Sequence, residues 1–392
     1  MSVREFGGLR RRLAAAMETS GEWPERSPWL RDAVEALPRH AFAPDRLWQW
    51  TGHAYVPVDR ATAPDSWARL VYAGPDDAAV TQLTDGVPSS SLSCQGVVVD
   101  MLDSLRVEPG HRVLELGTGT GWNAALLAHR AGPGRVVSVE VDAELAEAAR
   151  GRLRAAGADV TVHVGDGAEG CPEDGPWDRV IATYAVDEVP WPWIAQARPG
   201  GRLVFPWGRL GHVALTVADD GRSATGWVQG LATFMPARGT PPGADWWHVH
   251  DARPHGTARP FPHDVRALRD DAHLLFALRV ARPDVIVVPG PAPGPGPSGG
   301  EPVVRLHDGA ASWAVLTGHD GAAVARQGGP RRLADEVESA WDWWTAEGSP
   351  PLYDFGMTVT PDHSFVWCGG PEAGPVGERP AFPETWKSSA PR

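Results

Sequence analysis

The chain has 392 residues, and its 36 Lys and Arg against 49 Asp and Glu leave a net charge of −13 at pH 7. This acidity argues against nucleic-acid binding, which depends on cationic side chains that neutralise phosphates, and against docking on an anionic membrane surface. The sequence has no run of about 18 apolar residues, so we expect no transmembrane helix. Since one domain takes roughly 100–200 residues, the length predicts two domains or three small ones.

Cysteine use and the first residues both bear on the cellular compartment. Cys94, Cys171 and Cys368 lie far apart, form no CxxC pair and are odd in number, which argues against a disulfide framework. The segment MSVREFGGLRRRLAAAMETSGEW has basic residues but no apolar core of the signal-peptide type. We therefore predict a cytoplasmic location, where thiols stay reduced.

The first 110 residues predict helices separated by Pro-rich loops. Apolar residues recur at helical spacing in Leu9–Met17 and Trp29–Leu37, so we expect a mostly helical N-terminal region over residues 1–78. Residues 79–110 predict a loop followed by an apolar helix from about Gln95 to Leu105.

The next segment, residues 111–239, predicts an α/β structure. Short β runs alternate there with helices of about 10–15 residues, a pattern typical of βαβ units and a parallel sheet. The β runs are HRVLEL, RVVSVEVD, ADVTVHV, WDRVIATYAV and GGRLVFPWG. Two further runs, HVALTVAD and GWVQGLATFMP, predict a strand pair. With the preceding loop and helix, this gives a predicted domain over residues 79–239.

Residues 240–392 predict a smaller α+β domain. ARGTPPGADWWHVHDARPHG (237–256) has the composition of a loop, and PGPAPGPGPSGGE (289–301) that of a solvated linker. Between and after them, VRALRDDAHLLFALRV predicts a helix and DVIVVPG a strand. The segment 303–329 alternates like a small antiparallel sheet, RRLADEVESAWDWWTAEG predicts an amphipathic helix, and FGMTVTPDHSFVWCGG predicts a final hairpin.

The segment VLELGTGTGW (113–122) carries the strongest chemical signal. Gly117, Gly119 and Gly121 follow a strand directly and open a helix, where glycine lets the backbone turn sharply and lets a ligand approach it closely. Nicotinamide-dependent enzymes share such a loop, but their GxGxxG spacing is not met, because position 122 is Trp. The alternatives that remain open are a nicotinamide enzyme and a turn that binds no ligand.

Three acidic residues favour S-adenosylmethionine as the ligand. Glu115 stands two residues before the glycines, where a carboxylate can lie near a cationic ligand. Glu140 ends the next strand and can accept two hydrogen bonds from ribose hydroxyls. Asp166 follows the third strand and can accept from an adenine amino group. The neighbouring residues Thr118, Val141 and Gly167 complete the predicted donor site.

Several segments resemble one family, the protein-L-isoaspartate O-methyltransferases. They are LPRHAFAP (37–44), SLSCQGVVVDML (91–102), GDGAEG (165–170), WDRVIATYAVDEVPWPWIAQARPGGRLVFPWG (177–208) and FMPARG (234–239). The resemblance implies a Rossmann-like class I methyltransferase fold with N-terminal helices. It also implies S-adenosylmethionine as donor, S-adenosylhomocysteine as product and a peptide carboxylate as acceptor.

In the resembled family, a serine ahead of the glycine loop touches the substrate carboxylate. Ser93, which lies 20 residues before Val113, has the spacing expected of that serine, and Ser91 is the second choice. A carboxylate acceptor with a pKa of about 4 is already ionised at pH 7, so the reaction needs no general base. The alternative is that these serines only cap the helix that begins near Gln95.

Departures from the family's sequence pattern indicate an acceptor more specific than isoaspartyl residues in proteins generally. Cys94-Gln95 stands where the family has Gln-Pro, and the preceding segment is rich in serine. These features resemble a divergent subgroup with a C-terminal extension, associated with ribosomally made peptides such as graspetides, lanthipeptides and imiditides. That resemblance implies methylation of an aspartate in a pre-crosslinked precursor peptide, followed by aspartimide formation. Repair of L-isoaspartyl residues in proteins is the second hypothesis, and an inactive peptide-binding module is the third.

Aromatic and histidine clusters are further candidates for ligand or metal binding. Trp122 is expected to cover the donor, with core packing as the alternative, and Trp341, Trp343 and Trp344 are expected to pack a helix onto the C-terminal sheet. His248, His250 and His255 lack a set of Cys or carboxylate partners at ligand spacing, so we predict no metal site.

Overall fold

The computed structural model describes residues 3–208, 210–240, 246–252, 256–290, 303–319 and 322–376. The chain divides into two compact units. The first contains the described residues up to 208 together with 212–238 and 359–364, and the second contains the other described residues. None of the described helices combines the length and the apolar character needed to cross a bilayer.

The N-terminal part of the first unit contains helices and a hairpin. Helices α1 (Val3–Ser20), α2 (Trp29–Ala36) and α3 (Pro64–Val71) agree with the prediction of a helical region. Strands β1 (Arg46–Trp50) and β2 (Tyr55–Asp59) pair antiparallel and correct that prediction for the segment between α2 and α3. RLWQW and YVPVD contain the aromatic and β-branched residues Trp, Tyr and Val, which are enriched in strands.

A second hairpin follows where the sequence predicted a loop. Strands β3 (Ala79–Thr84) and β4 (Val87–Leu92) pair antiparallel and complete a four-stranded sheet in the order β2-β1-β3-β4. Asp85 and Gly86 form the turn, with φ of 52° and 80°, and Asp-Gly is the sequence that a turn with two positive φ values favours. Helix α4 (Gln95–Leu105) then begins at the residue that the sequence predicted.

The core of the first unit is a sheet with the Rossmann-like order. Strands β5 to β9 are β5 (Val113–Leu116), β6 (Val136–Glu140), β7 (Val160–Val164), β8 (Trp177–Ala182) and β9 (Ala197–Trp207). Two further strands are β10 (Gly211–Val217) and β11 (Ala224–Leu231). The order is β11-β10-β9-β8-β5-β6-β7, and neighbouring strands from β7 through β9 pair parallel.

Helices connect and cover the strands of this sheet. They are α5 (Trp122–Ala131), α6 (Ala143–Ala155) and α7 (Trp191–Ala195). Every residue of β5 and β6 is buried, as expected for central strands of a parallel sheet that is covered on both faces. This arrangement confirms the predicted α/β fold and brings the carboxyl ends of β5, β6, β7 and β8 to one edge of the sheet.

The second unit has a five-stranded antiparallel sheet and several helices. Its helices are α8 (Trp246–Ala252), α9 (Ala267–Asp270), α10 (Ala272–Ala281) and α11 (Leu333–Ala346). Its sheet has the order β12-β16-β15-β14-β13, from β12 (Thr257–Phe261), β13 (Ile286–Pro289), β14 (Val303–His307), β15 (Trp313–His319) and β16 (Ala322–Gly328). Strands β17 (Phe355–Val359) and β18 (Ser364–Cys368) are neighbours in a sheet, as the predicted final hairpin requires.

Three local predictions for the second unit have different outcomes. Helix α8 lies within 237–256, which the sequence predicted as a loop. The helical run WWHVHDA has only seven residues and is flanked by segments rich in Pro and Gly, so its sequence pattern favours a loop. The predicted linker 289–301 begins at the last residue of β13, and residues 291–301 lie outside the described residues. Trp341, Trp343 and Trp344 are buried on α11, which packs against the sheet as predicted.

Candidate active site

The loop that joins β5 to α5 forms the floor of the site. Gly117 has φ of 95°, a left-handed conformation that side-chain-bearing residues rarely adopt. A β-carbon at Gly117 would lie 2.5 Å from Thr183 Oγ1 and 3.1 Å from the ring of Tyr184. The loop therefore requires glycine at this position for both its backbone angle and its close approach to the end of β8.

The Glu115 carboxyl supports this loop from below. It is fully buried, accepts a 2.8 Å hydrogen bond from the Asn123 side-chain amide and accepts another from the Ser138 hydroxyl. Ser138 Oγ lies 2.6 Å from Thr118 Oγ1, so the network reaches into the glycine loop. Burial raises the pKa of Glu115 to about 7, although the hydrogen bonds from Ser138 and Asn123 oppose that rise.

Glu115 and Thr118 are both buried below the loop. Each oxygen of the Glu115 carboxyl accepts one bond from a protein donor, and the Thr118 hydroxyl is hydrogen-bonded to Ser138. Both residues shape the loop from within, and their contribution to donor binding stays a prediction.

The Glu140 carboxylate lies at the end of β6, beside the glycine loop. Its Oε2 accepts a 2.8 Å hydrogen bond from the Gly119 N–H, and its Oε1 accepts a 3.1 Å bond from the Asp142 N–H. A carboxylate oxygen has two acceptor positions, so each oxygen retains capacity for one hydroxyl donor. The neighbouring side chain of Val141 is exposed, as a residue that flanks a ligand would be.

Asp166 lies at the end of β7 and is exposed. Its Oδ1 accepts a 2.9 Å hydrogen bond from the Ala168 N–H, which fixes the carboxylate at the start of a single helical turn, Gly167–Glu169. The carbonyl oxygen of Gly167 accepts a 2.8 Å bond from the Trp193 indole N–H. The turn is therefore held from both sides, while acceptor capacity on Asp166 remains available.

The side chain of Tyr184, which the sequence analysis missed, lies between the glycine loop and this turn. A β-carbon at Gly167 would lie 2.5 Å from the Tyr184 hydroxyl, and the same ring approaches Gly117. The Tyr184 and Trp193 rings meet edge to face with centroids 6.2 Å apart. Burial raises the pKa of Tyr184, and the nearby carboxylates of Asp166 and Glu140 add to that rise. The sequence feature that could have identified Tyr184 is its position two residues after β8, because residues that follow the parallel strands lie at this cleft.

Trp122 is part of the protein core, which corrects the prediction that it covers the donor. The side chain is 2% exposed, and its indole N–H donates a 2.8 Å hydrogen bond to the carbonyl oxygen of Leu37. It is the first residue of α5, directly after Gly121, and the N-terminal segment covers it. The alternative of core packing therefore applies.

The serines lie on β4 and at its junction with α4. Ser91 is half-buried and pairs with Val80 of β3, and Ser93 is half-buried between the two elements. The residue that caps α4 is Cys94, with no side-chain capping bond, so the structure does not support helix capping by these serines. Ser90, which was not predicted, is buried, and its hydroxyl lies 4.0 Å from the β-carbon position of Gly119.

Arg238 connects the serine-bearing hairpin to the donor side of the site. Its guanidinium donates a 2.9 Å hydrogen bond to the carboxylate of Asp142 and further bonds to Gln82 Oε1 and the carbonyl of Ser89. Gln82 also donates to Asp142 at 3.1 Å. Asp142 follows Glu140 by two residues and caps α6, so this group fixes the hairpin next to the Glu140 loop.

Three potential metal ligands meet elsewhere in the first unit. His163 Nε2 lies 3.0 Å from Asp174 Oδ2, and the Cys171 thiol donates to the same oxygen at 3.5 Å. These hydrogen bonds account for the three groups without an ion. Of the histidines weighed earlier, His248 and His250 lie on α8, and His255 lies outside the described residues.

The assembled residues suit S-adenosylmethionine by their chemistry. Carboxylates at the ends of two neighbouring strands offer acceptors for hydroxyl and amino donors, and their charge favours a cationic ligand. At Gly119 the nearest atom to a β-carbon position is the Ser90 hydroxyl oxygen at 4.0 Å, so the loop leaves room for a ligand there. The site therefore fits a nucleoside that carries a sulfonium, and Glu140 and Asp166 stay its predicted polar contacts.

Comparison with known proteins gives a consistent result. The sequence model of the Protein-L-isoaspartate(D-aspartate) O-methyltransferase (PCMT) family matches residues 25–235. A protein-L-isoaspartate O-methyltransferase of Methanopyrus kandleri is 33% identical over 210 residues, covering 52% of this chain and 78% of that protein. One of Hyperthermus butylicus is 36% identical over 218 residues, covering 51% and 86%.

A likeness in fold extends further along the chain. A solved protein-L-isoaspartate O-methyltransferase covers 92% of this chain and 100% of its own, with 20% sequence identity and a TM-score of 0.51. A match of that extent continues past residue 238 and includes residues of the second unit.

Proposed function

Because the chain belongs to the protein-L-isoaspartate(D-aspartate) O-methyltransferase family, we propose that its acceptor is the free carboxylate of an L-isoaspartyl residue in a peptide. The chain is an S-adenosylmethionine-dependent carboxyl methyltransferase, and S-adenosylhomocysteine is the other product. The observation that supports a carboxylate acceptor is the hairpin β3–β4, which brings the Ser90 hydroxyl to 4.0 Å from the β-carbon position of Gly119, in the same segment as Ser91 and Ser93.

Residues at three strand ends would hold the donor. Glu140 would accept from the ribose hydroxyls, Asp166 from the adenine amino group, and the loop around Gly117 and Gly119 would take the amino-acid part. When bound, the donor supplies an electrophilic methyl group on a positively charged sulfur. Tyr184 would contact the nucleoside, because its ring lies between Gly117 and Gly167.

The acceptor side has to orient an anion. The carboxylate is ionised at neutral pH, so its oxygen can accept the methyl group without loss of a proton, and the site needs no general base. Holding two reactants in line can supply about 7–11 kcal/mol of the barrier. In this proposal Ser93, with Ser91 as the second choice, donates a hydrogen bond to the non-reacting carboxylate oxygen and so fixes the direction of attack.

The methyl ester can react further within the peptide to form an imide. The backbone N–H that follows the residue can attack the ester carbonyl, form a C–N bond and release methanol, which closes a five-membered imide. This step takes place within the peptide, and the hydroxyl groups of the site are not required for it.

A precursor peptide is the second candidate acceptor. Cys94-Gln95 differs from the family's Gln-Pro beside Ser93, and the closing segment 355–367 resembles that of enzymes that methylate an aspartate in a crosslinked peptide. The product would be an aspartimide. The family model and the relatives favour the isoaspartyl acceptor, because both carry the name protein-L-isoaspartate O-methyltransferase.

A mass-spectrometric assay with three substrates separates these proposals. An isoaspartyl peptide, its normal aspartyl isomer and a crosslinked precursor peptide are each incubated with enzyme and S-adenosylmethionine. We expect the isoaspartyl peptide to gain one methyl group and its aspartyl isomer to remain unchanged. Methylation of the precursor alone would overturn the isoaspartyl proposal in favour of the second candidate, and methylation of none would overturn both.

A further inference from the structure

Arg39 is a buried cation that contacts the serine-bearing segment, residues 89–93, where β4 ends and α4 begins. It lies in the single helical turn Arg39–Ala41 and is 1% exposed. Its Nε donates a 3.1 Å hydrogen bond to the carbonyl of Val71, its Nη1 a 2.6 Å bond to that of Ser93, and its Nη2 a 3.5 Å bond to that of Leu92. All three acceptors are backbone oxygens.

The charge of Arg39 has no anionic partner within the described part of the chain. Its three hydrogen-bond acceptors are neutral, and the titratable neighbours that favour its charge are Cys94 and Tyr72. Burial raises the pKa of the Cys94 thiol, so this group is neutral at pH 7. Burial lowers the pKa of Arg39 to about 10, which still leaves the guanidinium charged at neutral pH.

A buried cation of this kind is costly to a fold. Removing a guanidinium from water is compensated only in part by neutral acceptors, and buried charges are usually paired. A site that binds an anionic substrate can instead supply the missing charge when the substrate arrives.

Arg39 contacts the serine-bearing segment and the first residue of α5. Its bonds to Leu92 and Ser93 fix the backbone at the junction of β4 and α4. Its guanidinium carbon also lies 4.9 Å from the ring centroid of Trp122, the residue that follows the glycine loop. The cation therefore lies between the serine segment and the start of α5.

We propose that Arg39 is a specificity-determining residue, whose buried charge selects an ionised carboxylate over a neutral acceptor at the Ser93 junction. This inference rests on the proposed function, because it takes Ser93 to mark the acceptor position. The charge acts through space and through the Leu92 and Ser93 carbonyls that it holds, while the Ser93 hydroxyl makes the direct contact. A carboxylate gains from the positive potential, whereas a carboxamide of the same shape does not.

Binding of a matched pair of peptides tests the inference. The first peptide carries an isoaspartyl residue with its free carboxylate, and the second carries the carboxamide in its place. Calorimetry in the presence of S-adenosylhomocysteine gives both dissociation constants. We expect wild type to bind the carboxylate peptide at least about 10-fold more tightly than the carboxamide, and Arg39→Met to reduce that ratio to about 1.

Two further variants separate charge from folding. Arg39→Lys keeps the charge and should keep most of the ratio, although loss of hydrogen bonds weakens binding of both peptides. Arg60→Met is the matched control, because Arg60 also stacks on a tryptophan, Trp67 at 4.8 Å, and its side chain is 42% exposed. The control should keep the wild-type ratio, and all folded variants should bind S-adenosylhomocysteine within about threefold of wild type.

The outcomes distinguish the two proposals. If wild type does not prefer the carboxylate, the proposed acceptor and the role of Arg39 both fail. If wild type prefers it and a folded Arg39→Met prefers it equally, only the role of Arg39 fails. If Arg39→Met does not fold, Arg39→Lys decides the question, because loss of the ratio with the charge retained contradicts the inference.

Discussion

The donor side and the acceptor side of the site are built in different ways. On the donor side, Glu140 and Asp166 are already held by backbone N–H groups of neighbouring loops. On the acceptor side, the hydroxyls of Ser91 and Ser93 form no hydrogen bond with the described residues, and the charge of Arg39 has no anion. Under the proposed function, the protein itself holds the donor half in place, whereas the acceptor half keeps its hydroxyl donors and its positive charge for the substrate.

The largest expected effect is on the donor side. Glu140→Ala removes the carboxylate that accepts from Gly119 and would accept from the ribose, and hydrogen bonds to a charged group contribute about 1.5–3 kcal/mol. We expect affinity for S-adenosylhomocysteine to fall by about 100-fold in calorimetry. Glu144→Ala, an exposed neighbour on α6, is the control. Unchanged affinity in Glu140→Ala would mean that the donor binds elsewhere.

The next effect concerns Glu115, the buried carboxyl below the glycine loop, and is measured as a pH-dependent change in the free energy of unfolding. The folded-state pKa of Glu115 is raised to about 7, so between about pH 4.5 and 7 the folded state holds a proton that the unfolded state has lost. This group therefore makes the fold less stable as the pH rises through that window. Glu115→Gln should raise the free energy of unfolding by about 2 kcal/mol at pH 8 and by much less at pH 4.5.

Denaturant unfolding at the two pH values measures this difference, with Glu144→Gln as the exposed control. An equal effect of Glu115→Gln at both pH values would show that its carboxyl is not protonated in the folded state near neutrality. Loss of stability at both values would show that the glutamine cannot replace the hydrogen bonds to Asn123 and Ser138.

A smaller effect is expected for the acceptor hydroxyl. Ser93→Ala should lower kcat/KM for the isoaspartyl peptide by about 10-fold while leaving S-adenosylhomocysteine affinity unchanged, since a hydrogen bond to a charged acceptor is lost. Steady-state rates and calorimetry measure the two quantities, and the exposed Ser339→Ala is the control. If Ser93→Ala is as active as wild type and Ser91→Ala is not, the role belongs to Ser91.

The smallest effect concerns the contact that joins the two halves. Arg238→Ala removes the bonds to Asp142, Gln82 and the Ser89 carbonyl from a partly exposed position, where an ion pair contributes about 0.2–1 kcal/mol. We expect kcat/KM to fall by about threefold, with the larger share in KM for the peptide. The exposed Arg222→Ala should have no effect. A change in donor affinity alone would assign Arg238 to the donor side.

The donor side was largely predictable from the sequence because its residues follow local rules. Glycines after a β run and acids at the ends of the next two strands are visible in linear order, and the structure brings Gly117, Gly119, Glu140 and Asp166 to one sheet edge. Glu115 was found by the same rule, but its burial below the loop depends on Asn123 and Ser138, which no local pattern connects to it.

The acceptor side was less predictable because its geometry is tertiary. A serine-rich segment has low strand propensity, so β4 was missed, although Asp85-Gly86 marks the turn of its hairpin. Arg39 lies 54 residues before Ser93, and nothing in its neighbourhood shows that its guanidinium reaches that carbonyl. The indole of Trp122 was assigned to the ligand because only the folded chain shows that Leu37 covers it.

The bond between Arg238 and Gln82 spans 156 residues of chain. On a ribosome that adds about 5–20 residues per second, the hairpin is synthesised roughly 8–30 s before the arginine that anchors it. The strands of the four-stranded sheet are all available for pairing during that interval. The Arg238 contacts with Asp142, Gln82 and the Ser89 carbonyl form only afterwards, so the hairpin is joined to the Glu140 loop late in the synthesis of the first unit.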